Sequence, residues 1–123
     1  MTQEQKSLLI KDLCARLPYE VKIELTWWVM NDGMYMNTTL EPDHIDQLLN
    51  DEYGDAEIKP YLFPLSSMTE EQKQEYQYIT ERWMNDPSYS ISDSIDWLNK
   101  NHFDYRGLIE SGLAIDATNL NIY

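Results

Sequence analysis

The first apolar pattern in the chain has the period of a helix. Leu9, Ile10, Leu13, Cys14 and Leu17 recur at three- and four-residue spacing, which places them along one side of a 3.6-residue helix. Thr2 and Gln5 stand three apart just before them, the spacing at which two side chains and two backbone amides satisfy each other at a helix start. Pro18 stops the run. The stripe puts Cys14 inward, as a small core residue rather than a nucleophile.

The period then changes to two. Val21, Ile23, Leu25, Trp27 and Val29 alternate with Lys22, Glu24, Thr26 and Trp28, the signature of a strand with one buried face. Asp32-Gly33 is a strong two-residue turn signal. With those two as the loop, Val29 faces Met36, Trp27 faces Thr38 and Leu25 faces Leu40. One face of this hairpin, residues 19–40, is then nearly all apolar. Its reverse collects Trp28 with Asn37, Met30 with Tyr35, and Thr26 with Thr39. Residues 41–57 read either as a short helix after Pro42 or as an irregular strand pair. "AEIKPYLFPLSS" carries two prolines and reads as a short strand running into a connector, extending the sheet near 57–61.

Helical spacing returns after that. Thr69 and Gln72 repeat the capping pair, with Glu70 and Glu71 in the first turn, and Tyr76, Ile79 and Trp83 form a narrow stripe. Pro87 breaks this helix, and another begins near residues 90–92 with Ile91, Ile95 and Leu98 inward. In "NHFDYRGLI", residues 101–109, a histidine, an aspartate, a tyrosine and an arginine fall within five positions. We read it as a junction. Asn101 and His102 end one helix, Asp104 caps a short fourth helix, and Gly112 closes that helix in the left-handed conformation. Arg106 is expected to pair with Asp104, Glu110 or the acidic sheet region. The pattern as a whole predicts one α+β domain over 1–123. It has an N-terminal helix packed through Leu9, Leu13 and Leu17 on a small antiparallel sheet built on the 19–40 hairpin, followed by C-terminal helices.

Composition supports a folded chain: 42% of its residues are hydrophobic and 12% aromatic, enough at this length for one core without a metal or disulfide staple. A single cysteine fits a reducing compartment. The N-terminus has neither a basic lead-in nor an unbroken apolar run, and no uncharged stretch nears the roughly 18 residues of a membrane span. A cytoplasmic location is expected.

Charge changes the picture most. The net charge is −13, and positions 23–58 hold nine acids with no lysine or arginine. Nucleic-acid and anionic membrane surfaces need clustered bases, so direct binding to either is not expected. A protein partner with a basic surface is. The candidate binding residues are Trp28, Met30 and Tyr35 on the back of the hairpin with Glu24, Asp32, Asp43, Asp46, Asp51 and Asp55. A guanidinium stacks on indole while it pairs with carboxylates. The two later helices are rival occupants of that face, because their apolar stripes also need cover.

Two other readings stand beside this one. The acids are a start toward a nucleic-acid mimic acting on a DNA- or RNA-binding protein, which must array carboxylates against roughly one phosphate charge per 1.7 Å. A small enzyme would use His102 or His44 with nearby carboxylates. No catalytic residues, cofactor or metal are otherwise indicated. "NDEYGDAE" lacks EF-hand spacing, two histidines and one stripe cysteine make no zinc set, and there is no phosphate loop or nucleophile elbow. A non-enzymatic protein is expected.

Three segments carry a resemblance: "MTQEQKSLLIKDLCARLPYEVK" at 1–22, "IKPYLFPLSSMTEEQKQEY" at 58–76 and "SIDWLNKNHFDYRGLIESGLAI" at 94–115, about half the chain. Together they resemble a family of small uncharacterised acidic proteins from prophages and mobile elements of gut bacteria. The resemblance implies a phage or mobile-element origin and action in the cytoplasm of the host bacterial cell, where inhibition of host defence is one specific version. The chain departs from the family pattern at Phe63, where arginine is expected, and at Glu20, where glycine is expected. Either change is expected to alter a surface contact.

Overall fold

The computed structural model describes residues 2–29, 32–50, 57–85 and 91–123, and leaves the side chains of 27–29, 32–36, 50, 83–85 and 91–92 undescribed. Helix α1, Gln3–Arg16, begins with the expected reciprocal cap: Gln5 N–H donates to Thr2 Oγ1 and Thr2 N–H to Gln5 Oε1, both at 3.0 Å. Its buried arc is Leu9, Asp12, Leu13 and Arg16. Cys14 is exposed, which corrects the predicted stripe. The arc turns toward 12 and 16 because Asp12 and Arg16 stand one helical turn apart and neutralise each other. Pro18 lies in the turn of 3-10 helix Leu17–Tyr19, which ends at Glu20 in the left-handed region, φ 56° and ψ 41°.

Strands β1, Lys22–Val29, and β2, Asp32–Thr39, pair antiparallel. Lys22 faces Thr39, Trp28 faces Gly33 and Val29 faces Asp32. The predicted Asp32-Gly33 turn is therefore wrong: these two open β2, and the connecting residues 30–31 lie outside the described residues. Each β1 residue meets a partner four positions earlier than expected. Four is a whole number of strand periods, so the register changes and the faces do not. The observed register lets Leu40 N–H donate to Val21 C=O at 2.9 Å, and both residues are buried. The predicted register would have left Val21 without a partner.

Residues 41–57 resolve partly into helix α2, Pro42–Asn50. Pro42 takes the first helical position, where its missing N–H costs nothing. His44 Nδ1 accepts from Glu41 N–H at 3.0 Å. Strand β3, Glu57–Pro64, pairs antiparallel with β1 through residues 57–60. Its second half pairs in parallel with two short strands, β4, Phe103–Asp104, and β5, Ile115–Asp116. The sheet is thus mixed rather than antiparallel, ordered β2-β1-β3-β4 with β5 also on β3. Between β3 and β4 run α3, Glu70–Asn85, and α4, Ile91–Lys100, the helical crossover a parallel connection requires.

Helix α3 starts with the predicted Thr69–Gln72 cap. In α4 the buried side chains are Ser94, Trp97, Leu98 and Asn99, while Ile95 is 37% exposed, against expectation. Trp97 sets the face of this short helix by stacking on Phe103, ring centroids 5.7 Å apart. The short helix expected after Asp104 does not form. Asp104 still accepts from backbone N–H groups that follow it and Gly112 has φ 78°, but Leu113 and Ala114 both donate to Leu108 C=O, closing the chain into turns.

Two apolar clusters result. The main one joins Leu9 and Leu13 of α1 to Val21, Ile23 and Leu40 of the hairpin region, Ile45 and Leu48 of α2, Ile58 and Leu62 of β3, and Leu108 and Leu113. Leu17 and Leu25 pack on it half-buried, so α1 covers the sheet face as expected. Each such side chain contributes about 1.5–3 kcal/mol on burial. The second cluster holds Trp97, Leu98 and Phe103 with Phe63, Met68, Tyr76, Ile79 and Tyr105 around them. Phe63 is thus half-buried among aromatics. The fold is α+β, and no helix among the described residues is long and apolar enough to cross a membrane.

Candidate functional site

Strand alternation sends Lys22, Glu24 and Thr26 to the sheet face opposite α1 and α2, since Val21 and Ile23 point into the main cluster. Glu24 is half-buried there and held in place. The Tyr61 hydroxyl lies 2.7 Å from Asn37 Oδ1 and 3.1 Å from Glu24 Oε2, and Thr26 Oγ1 donates to Glu24 Oε1 at 3.4 Å. Burial first, then the hydrogen bond and charge of Glu24, raises the Tyr61 pKa. Beside them Lys22 Nζ donates to Thr39 Oγ1 at 2.6 Å. A carboxylate fixed by hydroxyls on a half-open face can accept from an incoming cation without first ordering itself.

Tyr123 closes one end of this face. Its hydroxyl accepts from Lys22 N–H at 2.8 Å and donates to Tyr61 C=O at 2.7 Å. It stands where the β1–β3 ladder ends, beside Pro60, which lies opposite Ile23 and has no N–H to give. Burial raises the Tyr123 pKa, against the Lys22 amide and Arg16, which lower it.

The other candidate residues divide. Register sets Trp28 opposite Gly33 and Tyr35 opposite Thr26, so the two are diagonal neighbours. Asp32 starts β2 opposite Val29. Met30, Asp51 and Asp55 lie outside the described residues. Asp43 and Asp46 are exposed on α2, whose Ile45 and Leu48 pack against the other face of the sheet. Glu24 and the α2 acids therefore lie on opposite sides of the sheet. Of the rival helices, Tyr76 and Ile79 of α3 pack with Trp97 and Leu98 of α4, Tyr76 to Trp97 at 5.6 Å, in a cluster that also takes in Phe63 of β3.

The side chains of "NHFDYRGLI" run to separate places. His102, with φ 62°, ends α4 and stacks on Tyr123. Burial, then the charge of Arg16, lowers its pKa to about 4. Asp104 accepts from the N–H groups of Arg106, Leu108 and Ile109. Tyr105 Oη donates to Asn99 Oδ1 at 2.9 Å. The backbone N–H of Arg106 is the group that meets Asp104, while its guanidinium reaches Asp12 Oδ1 at 3.0 Å rather than Asp104 or Glu110.

That last contact belongs to a buried ionic centre that sequence reasoning missed. Asp12 and Arg16 are 0% exposed and 2.8 Å apart. Arg16 Nη2 donates to Phe103 C=O at 2.6 Å, while Nη1 has no partner among the described residues. The Tyr105 ring lies 5.3 Å from the Arg16 guanidinium carbon and 4.8 Å from that of Arg106. The available signal was the spacing of Leu9, Asp12, Leu13 and Arg16, which share a helix face. This centre ties α1 to the C-terminal segment and so behaves as structure. Among the described residues, no group of three or more His, Cys, Asp or Glu is placed to hold a metal ion. No family model, curated protein or solved structure matches the chain.

Proposed function

We propose that the chain is a non-enzymatic protein of phage or mobile-element origin that binds a host protein through the acidic, aromatic-containing back of its β1–β2 hairpin. Inhibition of a host defence protein is the specific form its resemblance suggests. The observation that carries the reading is a carboxylate held ready on the hairpin's polar face: Glu24 is half-buried there on a fixed hydroxyl scaffold of Thr26 and Tyr61. The placement of Glu24 and the α2 acids on opposite sides of the sheet favours this over nucleic-acid mimicry, which needs one continuous carboxylate array.

The test is capture from host lysate on the immobilised protein, with a scrambled-charge chain as control. The partner recovered is then titrated against Trp28→Ala. Loss of a hot-spot aromatic costs roughly 2 kcal/mol, about thirtyfold in Kd, with an unchanged unfolding midpoint. Unfolding of Trp28→Ala would make that ring core and end the reading, and so would capture no better than the control.

A further inference from the structure

Strand β2 ends the sheet, pairing with β1 on one edge. The bond from Leu40 N–H to Val21 C=O fixes the phase of the ladder: Leu40 and every second residue before it turn their backbone groups toward β1. Pairing runs one for one from Lys22–Thr39 to Val29–Asp32 with no bulge, so the phase holds along the strand. Gly33, Tyr35, Asn37 and Thr39 therefore turn N–H and C=O away from β1. Among the described residues no strand pairs with that edge. Proteins blunt such edges with lysine, proline, bulges or very short strands. The eight residues of β2, DGMYMNTT, contain no lysine or proline.

We propose that this edge accepts one extended, basic segment of the partner protein as an added strand. The proposal rests on the hairpin being a protein-binding site and specifies how the partner is held. Charge decides the occupant. Added strands lie about 4.8 Å away, well inside the roughly 8 Å screening length at physiological salt. A second copy of this chain would bring another net charge of −13 against the first. A segment carrying Lys or Arg meets that charge favourably. Main-chain bonds at the four outward residues supply affinity, and alternate side chains of the segment, beside exposed Asn37, supply selectivity.

The probes are labelled peptides of the length of β2 with Lys at alternate positions and Val, Thr or Tyr between. Matched sets carry N-methyl groups on alternate amides, or Glu in place of Lys. Binding to the whole protein is read by fluorescence anisotropy, and protection of the Asn37 and Thr39 amides by hydrogen exchange. The Lys peptides should bind and slow exchange at both amides. N-methylation should weaken binding roughly tenfold or more, since it removes the ladder bonds, and the Glu set should not bind. Thr39→Pro, which deletes one outward N–H, should weaken the Lys peptides similarly; if it fails to fold, the N-methyl comparison decides. Equal affinity of parent and N-methyl peptides overturns strand addition while leaving a side-chain binding surface intact. Failure of every peptide, or no protection at Asn37 and Thr39, overturns it outright. Concentration-dependent self-association with protection at the same amides makes the occupant a second copy and overturns it too. The Trp28→Ala titration fails or succeeds independently of all of these.

Discussion

His102 and Tyr123 stack face to face, ring centroids 3.9 Å apart and planes 12° from parallel. Burial and the nearby Arg16 hold the imidazole neutral, with its pKa near 4. The unfolded histidine titrates near 6.5, so between about 4 and 6.5 the unfolded chain binds the extra proton. The contribution is fully present above about pH 6.5 and is lost as pH falls toward 4. Allowing for screening at a partly exposed ring, roughly 1–2 kcal/mol is at stake. His102→Asn keeps a side chain that tolerates the left-handed backbone and removes the titration. Urea midpoints should therefore fall less for this variant between pH 7 and pH 4.5 than for the parent. Parallel profiles would locate the acid sensitivity elsewhere.

Glu20 occupies a left-handed conformation, φ 56°, where glycine is the residue a backbone of that hand favours. A side chain there costs roughly 1–2 kcal/mol, partly offset by the greater freedom of glycine in the unfolded chain. Glu20→Gly should raise stability by about 0.5–1 kcal/mol, seen as a higher denaturant midpoint at unchanged slope. A lower midpoint would mean Glu20 makes a compensating interaction.

Asp12 and Arg16 stand or fall together. Asp12→Ala leaves a guanidinium at 0% exposure without its counter-charge, a loss of roughly 3–5 kcal/mol. Asp12→Leu combined with Arg16→Met removes both charges and should cost much less than the two single changes summed. A double-mutant cycle should give a coupling of about 2 kcal/mol or more. Additive losses would show that the pair does not act as a unit.

The Tyr123 hydroxyl serves a donor on β1 and an acceptor on β3. Tyr123→Phe keeps the ring and strands both, at a cost of roughly 1–3 kcal/mol. Amide exchange at Lys22 should speed up in the variant. Unchanged exchange there would show that another group takes over the bond.

Sequence pattern was most legible where one rule acted alone. The two capping boxes, the inward Val21 and Ile23 of β1 and the left-handed Gly112 appear as read, while Thr26, expected on the polar face, is 7% exposed. It misled where a local signal competed with packing. Asp32-Gly33 is a good turn in isolation, yet burial of Val21 and Leu40 as a pair outweighs it. Cys14 fits an apolar stripe, but a paired Asp12 and Arg16 make a charged arc cheap to bury. Ile95 lost its inward place to Trp97, a larger surface to cover. For the candidate site, the alternation correctly set Glu24 away from the core. It gave no hint of Tyr61 or Tyr123, whose contacts to Glu24 and Lys22 span 37 and 101 positions.

The ionic centre on α1 also dictates when this chain can finish folding. Asp12 finds Arg106 at a separation of 94 residues, and Arg16 finds the Phe103 carbonyl at 87. During synthesis α1 leaves the ribosome well before these partners, and its charged arc stays incompletely satisfied until the region beyond residue 102 emerges. Closing such long loops is slow compared with forming a helix. Helix α1 is therefore completed late, and a nascent chain stalled before residue 103 would carry its buried Asp12–Arg16 pair without Arg106 or the Phe103 carbonyl.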